Sequence, residues 1–139
     1  MNLPDKAPRE SLPELTRAEE EVMQILWKLE KGFVNELLEH YPEPRPAYNT
    51  VSTIIRILEK KGFVGHTAFG KTHQYYPMIT KEDYSRRLMG TVVKGYFDNS
   101  FRKLVSFFTG GEQLSVKEME EIRKIIDDQI NEKKSSSNG

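Results

Sequence analysis

Apolar side chains recur every three to four positions along several stretches of the sequence, which is the spacing of a helix that buries one face. In the first stretch the spacing is kept by Val22, Ile25, Leu26 and Leu29. The preceding Thr16-Arg-Ala-Glu19 is a capping box, in which the hydroxyl and the carboxylate each accept from a backbone amide. The pattern therefore predicts a helix over about 17–31, ended by Gly32.

The next residues predict two more helices with a stiff turn between them. A short helix is indicated by three apolar residues, Val34, Leu37 and Leu38, and stops at Pro42. The turn Pro42-Glu-Pro-Arg-Pro46 disfavours helix, because the residue before a proline is pushed towards extended backbone. A third helix is predicted from about Ala47 to Lys61, with Gly62 as its C-cap.

A hairpin is predicted after the third helix. Phe63-Val-Gly-His-Thr67 and His73-Gln-Tyr-Tyr-Pro77 are typical of short strands, and Gly70 between them is able to take positive φ. We expect His66 and His73 to pack or hydrogen-bond across the two strands. The aromatic residues expected in the core are Trp27, Phe33, Phe63, Tyr75 and Tyr76.

Three helices are predicted beyond the hairpin. Thr80-Lys-Glu-Asp83 resembles a capping box and opens a helix that runs to about residue 98. Another is predicted over about 100–109, and a last one, capped by Ser115 with Glu118, over about 116–132. The order of elements predicts a mainly α protein, in which three helices and a two-stranded hairpin form a winged helix-turn-helix that is followed by a C-terminal helical dimerisation region.

These patterns divide the chain into four parts. Residues 1–13, which hold three prolines among mostly polar residues, are expected to be an irregular N-terminal arm. Residues 14–79 are the predicted winged-helix domain, and 80–132 the predicted helical dimerisation region. The remaining 133–139, KKSSSNG, are expected to be a disordered tail.

The composition excludes several classes of function. The chain of 139 residues is 30% charged and 37% hydrophobic, as in globular proteins, and has no cysteine. The absence of cysteine rules out disulfides, thiolate metal sites and a cysteine nucleophile. The three histidines lack metal-ligand spacing, so we expect neither metal nor cofactor. No apolar run is long enough to span a bilayer, and we expect a cytoplasmic protein without membrane insertion.

Charge is unevenly distributed although the net charge is zero. Residues 14–43 carry three basic and eight acidic side chains, net −5, whereas 44–76 carry five basic side chains against Glu59, net +4. A locally basic stretch favours contact with a polyanion. It contains the third helix, whose predicted buried stripe is Val51, Ile54, Ile55 and Leu58.

The opposite face of the third helix has the chemistry of an element that enters the major groove. It offers short hydrogen-bonding side chains and then cations, without a carboxylate: Asn suits adenine, Thr suits thymine, and Arg suits guanine or phosphate. The wing would hold phosphate through Lys and backbone amides. The residues predicted to bind DNA are Arg45, Tyr48, Asn49, Thr50, Ser52, Thr53, Arg56, Lys60, Lys71 and Thr72. An ordinary solvated helix face and an ordinary exposed turn are the alternatives.

The helices after the hairpin carry more apolar side chains than a small winged-helix domain covers. Pairing with the same segments of a second chain would bury the surplus, and two-fold pairing is the commonest solution. The alternative is that these helices fold back on the winged-helix domain. The predicted dimerisation residues are Leu88, Met89, Val92, Val93, Tyr96, Phe97, Leu104, Phe108, Met119, Ile122 and Ile126.

Five stretches, in this order, carry a family resemblance: LTRAEEEVMQILW (15–27), NTVSTIIRILEKKGFV (49–64), HQYYPMITKEDY (73–84), FDNSFRKLVSFF (97–108) and LSVKEMEEIRKII (114–126). The chain resembles the penicillinase-repressor family, the winged-helix repressors of beta-lactamase and methicillin-resistance genes. The resemblance implies a homodimeric repressor that binds a dyad operator. It also implies, as a partner, a membrane-bound sensor metalloprotease whose cleavage in the C-terminal region relieves repression.

Two positions depart from the family's pattern. Ile57 stands where members often have Arg, and Arg56 lies one place earlier. Some members are cleaved at an Asn-Phe pair that would align near Phe107-Phe108, and here the Asn is missing. Two other classes compete with a DNA-binding repressor. One is a winged-helix protein-interaction module without DNA binding, and the other is an enzyme, for which the sequence offers no catalytic motif.

Overall fold

A computed structural model describes residues 14–138; the predicted N-terminal arm, residues 1–13, lies outside the described residues. The described elements, in chain order, are α1 (Arg17–Leu29), α2 (Val34–Leu38), α3 (Tyr48–Lys61), β1 (Val64–Phe69), β2 (Thr72–Pro77), α4 (Lys81–Tyr96), α5 (Phe101–Gly110) and α6 (Val116–Asn138). β1 and β2 form an antiparallel hairpin. Three helices followed by this hairpin are a winged helix, and the predicted fold class is confirmed.

The described chain forms two compact units that divide between Leu88 and Met89. We call residues 14–88 the winged-helix unit and residues 89–138 the C-terminal unit. The predicted boundary lay at 79/80, nine residues earlier than the one observed. The difference arises because the first turns of α4 pack into the winged-helix core. Tyr84 is buried there, and Leu88 packs against the same core.

The core of the winged-helix unit is built by the apolar stripes of its helices. The fully buried side chains on these helices are Val22, Met23, Leu26, Leu37, Val51, Ile55 and Leu58, and Phe63 after α3 is also fully buried, as predicted. Each contributes about 1.5–3 kcal/mol relative to an exposed side chain. Trp27 covers one edge of this core, since its ring lies 5.8 Å from that of Tyr84 and its indole Nε1 donates to the Ile79 carbonyl at 2.8 Å.

The start of α1 is the predicted capping box. The Glu19 amide donates to Thr16 Oγ1 at 3.1 Å, and the Thr16 amide donates to Glu19 Oε1 at 2.9 Å. The helix ends at Leu29, two residues before the predicted end, because Glu30 takes a φ of 73°. The backbone of Gly32 is then paired with Tyr75 of β2 in both directions, at 2.9 and 2.8 Å. This bridge ties the end of α1 to the wing.

The two faces of the wing differ in burial. Tyr75 is buried, as predicted, whereas the adjacent Tyr76 is 37% exposed, so its predicted place in the core is wrong. Successive strand residues point to opposite faces, and only one face of this hairpin meets the helices. Tyr76 lies opposite Gly65, and a Cβ on Gly65 would approach the tyrosine ring to 2.9 Å. Glycine therefore leaves room for the ring.

The C-terminal unit consists of the end of α4, α5 and α6. The turn between α4 and α5 uses positive φ at Asp98 and Asn99, and Ser100 caps α5 by accepting from the Lys103 amide at 3.2 Å. The predicted cap of α6 is present, since the Glu118 amide donates to Ser115 Oγ at 3.1 Å.

The prediction of a disordered tail is wrong for residues 133–138, and Gly139 lies outside the described residues. α6 continues through Asn138 instead of ending at about residue 132. Neither glycine nor proline interrupts the chain between Val116 and Asn138, and lysine and serine are tolerated on an exposed helix. A helix already nucleated extends over such residues at little cost.

Candidate nucleic-acid interface

The third helix, α3, turns one face to the core and the opposite face to solvent. Val51, Ile55 and Leu58 are fully buried and Ile54 is partly buried, which confirms the predicted stripe. Asn49, Thr53, Arg56 and Lys60 are exposed, as are Tyr48 and Thr50 at the start of the helix, and Ser52 is partly exposed. The first turn of α3 contains no acidic residue. The exposed surface is thus able to approach a polyanion.

A buried ion pair fixes the C-terminal end of α3 to α1. Lys61 Nζ lies 2.9 and 2.8 Å from the two carboxylate oxygens of Glu19, whose side chain is only 7% exposed. Burial alone would raise the pKa of Glu19, but the hydrogen bond from Lys61, the caps from Thr16 and the lysine charge outweigh it and hold that pKa below its usual range. Glu19 therefore stays ionised and couples the α1 cap to the orientation of α3.

A concave surface lies between α2, α3 and the wing. Its volume is about 500 Å³. Half of the predicted DNA-binding residues line it: Tyr48, Ser52 and Arg56 from α3, and Lys71 and Thr72 from the wing. The structure therefore brings together cations and hydroxyl groups that are distant in sequence. We call this surface the wing cleft.

The other predicted DNA-binding residues lie outside the wing cleft. Asn49, Thr50, Thr53 and Lys60 are on the exposed surface of α3, and Arg45 is in the turn before it. Arg45 Nε lies 3.5 Å from a carboxylate oxygen of Glu43, and both side chains are largely exposed. An exposed pair of this kind contributes little and leaves an approaching phosphate free to compete for the arginine.

Two contacts fix the side chains at the edges of the wing cleft. Arg56 Nε donates to the Ser52 carbonyl at 3.2 Å, which lays the guanidinium along α3. At the wing tip, Thr72 Oγ1 donates to the Phe69 carbonyl at 2.8 Å, and Gly70 takes a φ of 64°. The Phe69 ring meets Phe33 edge-on at 5.8 Å. The tip is thereby tied to the start of α2.

The sequence reasoning missed several residues of the wing cleft, namely Phe33, Val34, Asn35, Glu36, His73 and Tyr75. His73 and Tyr75 are two apart on β2, so the period of two would have placed both on the face that meets α3. The α2 residues gave no such signal, because their contribution depends on how α2 packs beside α3.

His66 and His73 pack against each other across the hairpin, as predicted. Their ring centroids are 4.0 Å apart and their planes differ by 7°. His66 Nδ1 also contacts Glu59 Oε2 of α3. Within residues 14–138, no three histidine or carboxylate side chains are grouped so that they could hold a metal ion.

The C-terminal unit has an apolar groove of about 460 Å³ between α5 and α6. Five of the predicted dimerisation residues line it: Leu104, Phe108, Met119, Ile122 and Ile126. Others of that prediction lie apart from the groove. Leu88 is used by the winged-helix core, Val93 is fully buried within the chain, and Tyr96 is 83% exposed. Met89 is exposed, and Val92 and Phe97 are partly buried.

No helix in the described part of the chain has the length and apolarity needed to cross a membrane.

These features define the class of protein. Three helices, a wing and an exposed face of α3 without carboxylates form a winged helix-turn-helix of the kind that binds DNA. The model of the penicillinase repressor family matches residues 15–128, which is most of the chain. The chain therefore belongs to the penicillinase repressor family.

Two relatives in sequence agree with this assignment. The methicillin resistance regulatory protein MecI of Mammaliicoccus sciuri is 32% identical over 114 residues, which cover 81% of this chain and 93% of the relative. The penicillinase repressor of Bacillus licheniformis is 27% identical over 124 residues, covering 88% and 97%. The solution structure of monomeric Bacillus licheniformis BlaI in complex with the blaP half-operator is similar over 53% of this chain and 92% of that chain, with 31% identity and a TM-score of 0.44.

Proposed function

We propose that this chain is a sequence-specific repressor of transcription that binds double-stranded DNA as a homodimer on a dyad operator. The observation that supports the proposal best is the wing cleft, where Arg56 of α3 and Lys71 of the wing converge. The one carboxylate of α3, Glu59, contacts His66 of the wing. A phosphate backbone would therefore meet cations and hydroxyl groups on this surface. This function places the chain in the cytoplasm, where it has access to the chromosome.

The residues divide by role. Asn49, Thr50 and Thr53 lie on the exposed surface of α3 and carry the groups that read base edges: an amide for adenine, and hydroxyl and methyl groups for thymine. Lys71 and Thr72 at the wing tip, with Arg45 before α3, would hold phosphates and fix the register. Arg56 lies between these two sets and can reach a guanine or a phosphate. Ile57, 42% exposed beside it, would make only apolar contacts.

Dimerisation is supported by apolar surface that a single chain leaves in water. Phe108, Ile122 and Ile126 are 40%, 38% and 45% exposed around the α5–α6 groove. Each is worth about 1.5–3 kcal/mol on full burial, so a second copy that fills the groove would be stabilised by several such side chains. Two linked winged helices would also bind two half-sites more tightly than one, because the second contact is intramolecular.

Relief by a membrane-bound sensor metalloprotease, which the family implies, is consistent with the exposure of α5. No side chain of this helix is buried within the chain, so local opening would cost little and would present Phe107 and Phe108 as an extended segment. Because the Asn of the family's Asn-Phe pair is missing at Phe107-Phe108, the proposal concerns cleavage within α5 and not a particular bond. Such a cleavage would separate α6 from the winged-helix unit and abolish the dimer. Co-expression with a sensor protease and mass mapping of the fragments would test this step, and an intact chain under induction would contradict it.

A titration of the full-length chain against the DNA upstream of its own gene tests the central proposal. We expect tight binding to this duplex and weaker binding to a scrambled duplex of the same length. Arg56→Ala should weaken binding to the first duplex by about 1–3 kcal/mol. Lys117→Ala is the matched control, since Lys117 is an exposed cation of α6 outside both the wing cleft and the apolar groove.

The alternative is a winged-helix module that binds a protein and not DNA. It predicts equal and weak binding to both duplexes, with no difference between Arg56→Ala and Lys117→Ala. The exposed face of α3 speaks against it, because four cations or amides, Asn49, Arg56, Lys60 and Arg45, occur on or before that helix with no acidic residue in its first turn.

A further inference from the structure

The stacking of two histidines of the wing has no part in the function proposed so far. The His66 and His73 rings are nearly parallel, with centroids 4.0 Å apart, and the Tyr75 ring meets both edge-on at 5.9 and 6.0 Å. The strand register explains the cluster. His66 pairs with Tyr75 across the hairpin, and His73 precedes Tyr75 by two residues, so all three side chains project from one face.

That face is turned towards α3. His66 Nδ1 contacts Glu59 Oε2, which ties the first ring to α3. His73 lines the wing cleft, where the other ionisable groups are Arg56 and Tyr48 of α3, Glu36 of α2, Lys71 of the wing and Tyr75. The His73 side chain is exposed, whereas only 31% of His66 is exposed. His73 is therefore the ring that a bound phosphate could reach.

The arrangement makes the charge of His73 depend on what occupies the cleft. The charged groups that line the cleft around His73 are Arg56 and Lys71, which carry positive charge, and Glu36, which carries negative charge. A phosphate in the cleft would add negative charge beside His73 and so favour its protonation.

We propose that His73 is a further DNA-contacting residue that donates to a backbone phosphate as an imidazolium, is positioned by stacking on His66, and makes DNA binding take up a proton. The inference rests on the proposed function, since it needs DNA in the wing cleft. Because the bound state holds more protons than the free state, affinity rises as the pH falls from 8 to 6. One proton limits the rise to about tenfold per pH unit.

The test is a titration of the full-length chain against its upstream duplex at pH 8, 7 and 6 and constant ionic strength. For the wild-type chain we expect affinity to increase about three- to tenfold from pH 8 to pH 6. His73→Gln should lose most of this increase. His40→Gln is the matched control and should keep it, because His40 lies after α2 with its Nδ1 3.1 Å from the Glu36 carbonyl and does not line the cleft.

A second measurement distinguishes a direct contact between His73 and DNA from a structural role of this residue. Histidine proton shifts followed by NMR should show the His73 titration moving to higher pH when a scrambled duplex is added at low salt, since phosphate contacts do not depend on sequence. Glu59→Gln, which removes the carboxylate in contact with His66, should leave the response of His73 to DNA in place. Equal pH dependence of His73→Gln and wild type, or no movement of the His73 titration with DNA, overturns the inference. Absence of wild-type binding at every pH would instead overturn the proposed function.

Discussion

The two units of the chain bury their apolar side chains to different extents. In the winged-helix unit, apolar residues from α1, α2 and α3 are wholly inaccessible. In the C-terminal unit, Val93 is the one buried apolar side chain among the described residues, while Phe101, Phe107 and Val116 are more than half exposed. So much apolar surface in water supports the proposed pairing of this helical unit with a second copy. The winged-helix unit, in contrast, has what it needs to fold alone.

The largest effect is expected from separating the two units after Leu88. A chain that ends there keeps Tyr84 and Leu88 in the winged-helix core and should be folded and monomeric. Its affinity for a dyad operator should fall by about 100- to 10,000-fold, because the second half-site contact is no longer intramolecular. Light scattering and operator titration measure both properties. A truncated chain that stays dimeric, or that binds as tightly as the whole chain, would show that the division is wrong.

A single charge in the apolar groove should dissociate the proposed dimer without unfolding the chain. Ile122→Asp places a carboxylate where we propose that the second copy packs, and should raise the dimer dissociation constant at least about 100-fold. Ile125→Asp, on the same helix but 61% exposed and outside the groove, should leave it unchanged. Sedimentation equilibrium makes the comparison, and equal dissociation in both variants would argue against the groove.

Val93→Asp tests burial within a single chain. Val93 belongs to the predicted dimerisation residues, yet it is fully buried within one chain. We therefore expect this variant to lose helical structure and thermal stability even when it is dilute and monomeric, whereas Ile122→Asp keeps the circular dichroism of the wild type. A folded Val93→Asp monomer would contradict the burial.

The next largest effect is expected from removing the ion pair between α1 and α3. Glu19→Gln leaves Lys61 without its carboxylate partner, and because Lys61 is partly exposed we expect a loss of about 2 kcal/mol of unfolding free energy. Glu21→Gln, at an exposed position of the same helix, is the control. Urea unfolding at neutral pH measures the difference, and equal stability of the two variants would speak against the pair.

The pH dependence of this pair follows from the lowered pKa of Glu19, in which the bonds and charge of Lys61 outweigh burial. Its contribution is present above the unfolded pKa of about 4.3 and is lost as the pH falls through the lower folded value. The stability difference between wild type and Glu19→Gln should therefore shrink on acidification below about pH 4.

Short-range sequence patterns predicted the helices and strands, whereas contacts between residues distant in sequence were not predictable from such patterns. The Thr16–Glu19 capping box and the C-cap at Gly62, whose φ is 91°, were predictable from the sequence because a few adjacent residues determine them. The Gly32–Tyr75 bridge and the Glu19–Lys61 pair join residues about forty positions apart and leave no pattern in either segment.

The candidate site was predictable to a similar degree. Helical periodicity placed Arg56 on the exposed face of α3, and the turn placed Lys71 at the wing tip, but their shared cleft with His73 depends on how the hairpin packs against α3. The extent of α6 was missed for a different reason. Its last residues carry no helix signal of their own and continue a helix that began at Val116.

The smallest effects on affinity are expected from the loss of single contacts to DNA. These effects distinguish the contacts made by the wing from those made by α3. Lys71→Ala should weaken binding to all sequences alike, by about 3- to 10-fold, and lower the slope of log K against log salt by about 0.9, because one phosphate contact is lost. Thr53→Ala should leave the salt slope unchanged and relax the preference at one base pair by about 1–3 kcal/mol. Titrations against operator and single-base variants at several salt concentrations give both quantities. If Lys71→Ala changed sequence preference and Thr53→Ala the salt slope, the assignment of phosphate contacts to the wing and base contacts to α3 would have to be reversed.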